Sequence, residues 1–146
     1  MAATRAEVEA SIARGVEGLA DITVVQACHS TLADVLASHS VKVGELSAAV
    51  FNLGWLPGAE AEADRKATAT RPETTLAAVA AASSLMRPGG FISMTSYIGH
   101  EGGREEAEAV RAALAALPPK EWVVAETNML NRSTAPLWTL AWRKDM

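Results

Sequence analysis

The 146-residue sequence has a single cysteine, Cys28, and no apolar run near the roughly 20 residues that a membrane-spanning helix needs. One thiol excludes an internal disulfide framework and a cysteine-based zinc site. Met1 to Ala10 mixes acidic and basic side chains without an apolar stretch, so it does not read as a secretory leader. Positive charge is the sign in short supply: 13 Lys+Arg stand against 17 Asp+Glu, a net charge of −4. That balance argues against a protein that lives by wrapping phosphates, although a local basic face remains open. These absences point to a reduced, cytoplasmic setting away from membranes. What is present is globular: 49% hydrophobic and 21% charged residues exclude wholesale disorder. The length suits one domain, and a single domain over residues 1–146 is expected. Alanine, the best helix former, is abundant, so the helices pack closely but each residue buries little area.

Hydrophobic periodicity sets the element order. Thr4-Arg5-Ala6-Glu7 reads as a capping box, and Val8, Ile12, Val16 and Leu19 then share one helical face. Ile22-Thr23-Val24-Val25-Gln26 is a β-branched run that predicts a buried strand. Thr31 to Ala37 allows one or two helical turns, and Ala48 to Phe51 predicts the next strand, broken at Gly54 and Pro57-Gly58. Ala59 to Arg71 is polar and reads as an exposed loop. Pro72 opens a helix with Leu76, Val79, Ser83 and Met86 inward, ended by Pro88-Gly89-Gly90. A strand over Phe91 to Tyr97 follows, then a glycine-rich turn, then a helix from about Arg104 to Leu117 stopped by Pro118-Pro119. Trp122 to Ala125 and Leu137 to Trp142 are the last strands, and the Asn128 to Pro136 connection makes them an antiparallel hairpin. Alternation of this kind predicts an α/β fold: a mostly parallel sheet of about five strands, helices on both faces, and a C-terminal antiparallel hairpin. Ligands of such sheets sit beyond the carboxyl ends of the strands.

Three strand ends carry residues with chemistry. In Asn52-Leu53-Gly54-Trp55-Leu56-Pro57-Gly58 the Asn52 side-chain oxygen and the Leu53 carbonyl can accept hydrogen bonds from an amine, and Trp55 can stack on a planar base. An ordinary strand-to-loop turn with Trp55 as a core plug explains the same residues. Tyr97-Ile98-Gly99-His100-Glu101-Gly102-Gly103 exposes backbone N–H groups before a helix, and His100 can exchange a proton near neutral pH. A plain glycine-rich connection is the alternative, and the spacing is not that of a dinucleotide-binding loop. Cys28-His29-Ser30 ends the first predicted strand. His29 either lines a pocket or caps a turn, and Cys28 reads as a small buried hydrophobe. No Ser/His/Asp triad is spaced in the sequence, and His29, His39 and His100 show no metal-ligand pattern. Glu105, Glu106 and Glu108 read as a solvated helix face, and Arg65, Lys66 and Arg71 as solubilising loop charges that could also touch phosphate.

Phe51 to Gly58, then Glu73-Thr74-Thr75-Leu76, then Tyr97 to Gly103, in that order, closely resemble the YtqB/MnmM-type methyltransferases, a family long labelled as rRNA methylases. Trp55 stands where that family more often has tyrosine, and Gly18 through Ser30 resembles its third strand with the helix before it. The resemblance runs from about Arg5 onward. It implies a Rossmann-like methyltransferase fold and S-adenosylmethionine as cofactor. The implied reaction is methylation of the aminomethyl group of 5-aminomethyl-2-thiouridine at the wobble position, which makes the tRNA anticodon region the partner. It implies that Asn52 and Leu53 orient the amine and that Trp55 packs near the uridine. Tyr97, His100, Gly102, Gly103, Thr74 and Thr75 then shape the substrate side, and His29, Ser30 and Asn52 lie toward the cofactor. The proton of the substrate ammonium goes to His100, His29 or water. The family's Asp-x-Thr-x-Gly-Asn-Gly-type cofactor loop and its ribose-gripping acid are not found in residues 1 to 30. The resemblance therefore implies a shortened fold in which Ile22–Gln26 closes directly onto Ala48–Asn52, or in which a second chain covers the edge as a homodimer. A non-catalytic remnant serving as a binding or assembly module is the alternative function. A third reading is a different small α/β enzyme that uses Asn52 and His100 on an amine or amide.

Overall fold

The computed structural model describes residues 23–54 and 69–145. Four strands form one sheet: β1 (Leu46–Leu53), β2 (Met86–Ser96), β3 (Trp122–Thr127) and β4 (Leu137–Arg143), in the order β1-β2-β4-β3. β1 and β2 are parallel, with Ala48 opposite Phe91 and Leu53 opposite Ser96. β4 runs antiparallel to both neighbours, placing Leu137 opposite Ser96 and Trp138 opposite Thr127. The predicted C-terminal hairpin is therefore β3–β4. The described helices are α1 (Leu32–Ser38), α2 (Pro72–Leu85) and α3 (Gly103–Ala115), and a short 3-10 turn, His29–Thr31, precedes α1.

Period-two alternation divides the sheet into two unlike faces. Leu53, Ile92, Met94, Ala141 and Trp122 point to one face and are buried with Val79, Ala82, Val110 and Leu114 of α2 and α3. Burial of each Leu, Ile or Val side chain contributes about 1.5–3 kcal/mol, and small residues such as Ala78 and Ala82 let α2 lie close to its neighbours. The opposite face carries Val50, Phe91, Trp138 and Trp142, all of them exposed. Helices on both faces were expected. Among the described residues, α2 and α3 make their sheet contacts with the buried face.

Pro72 stands at the first turn of α2, where its missing N–H breaks no helical bond. The buried residues of this helix are Thr75, Ala78, Val79 and Ala82, so its inner stripe is rotated from the predicted Leu76, Val79, Ser83 and Met86. The helix stops at Leu85, and Pro88-Gly89-Gly90 lies inside β2 rather than ending a helix. A Cβ at Gly90 would stand 2.9 Å from the Ser47 carbonyl oxygen, so glycine permits the close approach of β2 to β1 where their register shifts. Arg143 fastens the other end of the sheet: its Nη1 donates to the Met86 carbonyl at 2.6 Å and its Nη2 meets Glu121 at 3.1 Å.

The first predicted strand is corrected. Thr23 to Cys28 is exposed and forms no strand, and Ile22 lies outside the described residues. A β-branched run becomes a strand only when a neighbour takes its backbone groups, and among the described residues β1 pairs with β2 alone. The sheet thus has four strands here rather than about five, with one parallel and two antiparallel pairings, and the expected closure onto Ala48–Asn52 is not made by residues 23–26. The Thr4 to Leu19 helix also lies outside the described residues. No described helix is long and apolar enough to cross a membrane.

Candidate active site at the carboxyl ends of the parallel strands

Because β1 and β2 are parallel, Leu53 and Ser96 end side by side, and the chain beyond each shares one rim of the sheet. Asn52 is exposed there. Leu53 is buried at 1% exposure, and its carbonyl accepts the Tyr97 N–H at 3.4 Å. Gly54 follows with φ +148°, a conformation that L side chains rarely adopt. A Cβ at Gly54 would lie 3.6 Å from Tyr97 and 3.8 Å from His100 Nε2, so the two strand ends pack directly on each other. His100 Nδ1 donates to the Glu101 carbonyl at 2.9 Å, and His100 Nε2 is buried. Gly103 is pressed against the same ring, a Cβ there falling 2.9 Å from Nε2. Gly102, at φ +82°, caps α3 with open space around its Cα. Tyr97 is half exposed at the rim.

A second set of residues joins this rim from below. Thr70 bonds Gly54 twice, its N–H donating to the Gly54 carbonyl at 2.7 Å and its Oγ1 accepting the Gly54 N–H at 2.9 Å. The Thr70 hydroxyl in turn donates to Glu106 Oε2 at 2.6 Å, and the Thr75 hydroxyl donates to Glu106 Oε1 at 2.6 Å. Glu106 is 2% exposed. A buried carboxylate is tolerated when its oxygens are hydrogen-bonded, and two hydroxyl donors do that here. On the far side of the threonines, His29 Nε2 lies 3.0 Å from Thr74 Oγ1 and 3.4 Å from Thr75 Oγ1. Burial pulls the pKa of His29 below its ordinary value, and the negative charge of Glu106 opposes that shift. The adjoining Ser30 hydroxyl donates to Cys28 Sγ at 3.1 Å and, as the main cause, lowers the thiol pKa.

The structure therefore brings Asn52, Leu53, Gly54, Tyr97, His100 and Gly103 to one rim and ties Thr74, Thr75 and His29 to it through Glu106. Trp55, Pro57, Gly58, Arg65 and Lys66 lie outside the described residues. Cys28 is exposed, not the buried hydrophobe the sequence suggested. Glu106 is likewise not part of a solvated face. Its helical phase carried the signal, since positions 103, 106, 107, 110 and 114 form the inward stripe of α3. Thr70 was missed because nothing in a polar loop marks which hydroxyl will meet a strand end. A groove of about 350 Å³ between α3 and β3, lined by Arg111, Trp122, Glu126 and Thr139 among others, holds none of the predicted site residues. No cluster of metal-ligating side chains occurs among the described residues.

The rim offers an exposed side-chain acceptor at Asn52 but little that fits S-adenosylmethionine. The Asn52 oxygen suits an N–H donor. The one carboxylate drawn into this network, Glu106, is enclosed by two threonines and is not placed to hold a ribose. The described residues do not assemble a grip on the cofactor.

The family described as "Putative rRNA methylase" matches residues 1–143. A chloroplastic tRNA (mnm(5)s(2)U34)-methyltransferase of Arabidopsis thaliana is 37% identical over 118 residues, which is 81% of this chain and 40% of that protein. A Clostridium thermocellum structure described as a "putative rRNA-methylase" superposes with a TM-score of 0.68 at 28% identity, covering 83% of this chain and 60% of its own. The fold is also that of a Streptococcus mutans methyltransferase-like protein, SMU.1697c, solved in complex with SAH, with a TM-score of 0.72 at 24% identity over 96% of this chain and 68% of the other. The chain thus spans less than half the length of the chloroplastic relative and 60% of the Clostridium protein. These neighbours carry the Rossmann-like methyltransferase expectation: the described sheet is a shortened, mixed version of that α/β fold.

Proposed function

From the premise that the chain belongs to the "Putative rRNA methylase" family, we propose that it serves S-adenosylmethionine-dependent N-methylation in the cytoplasm. The proposed acceptor is the aminomethyl group of 5-aminomethyl-2-thiouridine at the tRNA wobble position, reached through the anticodon region. The observation that carries this reading is the exposed Asn52 carboxamide at the carboxyl end of β1, beside a Gly54 packed on the Tyr97–His100 turn. A primary ammonium resembles a lysine, with a pKa of about 10.4, and attacks nothing until it loses a proton. Asn52 Oδ1 accepts one N–H of the amine and fixes the direction of its lone pair. The Leu53 carbonyl, already bonded to Tyr97, offers its second lone pair. Tyr97, Gly102, Gly103, Thr74 and Thr75 bound the substrate side, with Trp55 against the base, and His29 and Ser30 lie toward the cofactor. S-Adenosylmethionine, when bound, supplies the electrophilic methyl group. The contribution of this chain is to hold the nucleophile at attack distance, where most of the rate advantage of a displacement arises.

The test is methyl transfer from labelled S-adenosylmethionine to tRNA bearing 5-aminomethyl-2-thiouridine, run beside calorimetric titration of the cofactor. Product that vanishes with tRNA lacking the aminomethyl group supports the reading. No heat and no product at millimolar cofactor reject it. That result would favour the second reading, a non-catalytic binding or assembly module, which is supported by the missing cofactor grip among the described residues.

A homodimer is the assembly we propose. Val50 is 71% exposed on β1, whose outer edge has no partner among the described residues, and Phe91, Trp138 and Trp142 continue the same uncharged face. An apolar face of this kind favours association with a second copy. Sedimentation of a monomer at all concentrations would reject it.

A further inference from the structure

We propose that Thr95 and Trp138 form the base subsite of the candidate site: the pyrimidine ring lies over Thr95 and stacks on the Trp138 indole while its aminomethyl arm reaches Asn52. The proposal rests on the amine-methylation reading above and deepens it with two residues that the sequence offered only as strand.

Residues paired across neighbouring strands point to the same face of a sheet. Asn52 pairs with Thr95, and Thr95 pairs with Trp138, so the three side chains stand in one row across β1, β2 and β4. Leu53 is buried under the helices, so its neighbour Asn52 points to the opposite, open face. An amine held by the Asn52 carboxamide therefore lies on that face, and the rest of the row is the surface beside it. Asn52 and Trp138 are separated by two strand spacings, about 10 Å. A pyrimidine with a one-carbon arm fits that span, with the amine at one end and the ring at the other.

The face changes character from its lower edge to the rim. The lower row, Ala48, Phe91, Trp142 and Val123, is wholly apolar. The rim row is Asn52, Thr95, Trp138 and Thr127, in which one aromatic ring stands among three hydrogen-bonding side chains. A nucleobase has the matching chemistry, an apolar ring face and a polar edge. A second protein chain suits the apolar row, and a base suits the rim row. No residue of either row is charged, so the rim row receives a base and not a phosphate.

Trp138 is set for stacking before any ligand arrives. It is 44% exposed, and its Nε1 donates to Ser93 Oγ at 2.9 Å, which draws the indole from β4 toward β2, the strand beside Asn52. A ring already held in place loses little freedom on binding. Thr95 is short and half-buried, and its hydroxyl has no hydrogen-bond partner among the described residues. It is free to donate to the 4-oxygen of the pyrimidine, which neighbours the carbon that bears the arm. Bases in single-stranded RNA loops are recognised in this way, splayed out and stacked on aromatic side chains.

The test uses the full chain labelled with ¹⁵N-tryptophan, whose four indole N–H signals are assigned from single Trp→Phe variants. The probe is an anticodon stem-loop RNA carrying 5-aminomethyl-2-thiouridine at the wobble position. The expected result is a shift of the Trp138 signal that saturates with RNA and is lost in Asn52→Ala. A Trp138 signal that RNA leaves in place, or that follows protein concentration alone as it would beneath a second copy, overturns the proposal. The second arm is methyl-transfer kinetics. Trp138→Leu should raise KM by about 10-fold or more with kcat little changed, and Trp138→Phe, which keeps an aromatic face, should restore most of it. Thr95→Leu fills the row and should raise KM as far without lowering Tm. Wild-type KM in both leucine variants overturns the base subsite and leaves the methylation reading standing. A wild-type chain that transfers no methyl group overturns the methylation reading, and the Trp138 shift then judges the base subsite by itself.

Discussion

The Thr75 hydroxyl donates to Glu106 Oε1 at 2.6 Å in a site where both residues are buried. This bond joins the middle helix of the described chain to the one after it. Through the other oxygen of Glu106 and Thr70 it also reaches Gly54 at the end of β1. One carboxylate thus sets the relative position of three elements that meet at the candidate site.

Glu106→Ala should destabilise the protein by about 3 kcal/mol, since it leaves the buried Thr75 hydroxyl and the half-buried Thr70 hydroxyl without this acceptor and removes charge-assisted bonds. For a chain of this size that is a fall in Tm on the order of 10 °C. Glu106→Gln, which keeps one acceptor oxygen, should lose about half as much. Urea unfolding of the two variants checks this, and a loss below about 0.5 kcal/mol for alanine, the range of an ordinary surface change, would show that the network holds nothing.

Gly103→Ala and Gly44→Ala separate crowding from backbone strain. A Cβ at Gly103 would meet the Tyr97 carbonyl oxygen at once and His100 Nε2 at 2.9 Å, whereas at Gly44, with φ +81°, nothing lies within 4 Å. Gly44→Ala should cost about 1–2 kcal/mol, the penalty of a left-handed conformation alone. Gly103→Ala must shift the turn beneath His100, so it should cost about 1–3 kcal/mol and also disturb substrate binding. Thermal melts together with tRNA affinity decide the point, and Gly103→Ala with unchanged affinity would separate that turn from the site.

The helices and hairpin were legible because their signals are local. Pro72 announced α2, the glycines before Arg104 announced α3, and the Trp122 and Trp138 runs announced the final strands. The strand expected over Ile22–Gln26 is not formed by residues 23–26, because strand formation depends on a partner and five consecutive β-branched or polar residues say nothing of what lies beside them. The inner face of α2 was misplaced because periodicity favoured the large Leu76, while the packing used the small Ala78 and Ala82 with Thr75. Asn52, Tyr97 and His100 could be named from the sequence because all three stand at or just beyond the ends of predicted strands. The Thr70–Glu106–Thr75 link could not, since it joins positions whose approach only the folded chain decides.

Asn52→Ala should leave stability within about 0.5 kcal/mol of wild type, the usual range for an exposed side chain away from caps and turns. If the carboxamide orients the amine, turnover should nonetheless drop by about 100-fold, the scale on which misplacement of a reacting group is felt. Leu53→Ala is the contrast. That side chain is 1% exposed in the core, so its loss should cost about 2–5 kcal/mol. Steady-state methylation assays and melting curves on the same preparations check both. Asn52→Ala with full activity, or with a Tm loss like that of Leu53→Ala, would assign the residue to the fold.

The pH dependence of stability carries a sign that can be read from His29. Burial lowers its folded pKa below the ordinary 6.5, so the unfolded chain binds the proton more readily than the folded one. The stability that neutral His29 contributes is therefore present above about 6.5 and is lost as the pH falls through the lower folded value. His29→Gln cannot titrate and should lack this part of the slope. Urea midpoints of wild type and His29→Gln measured from pH 8 to pH 5 should accordingly converge or cross toward acid, wild type losing stability faster. Parallel curves across that range would mean that the ring is equally protonated in both states, and that burial does not hold it neutral.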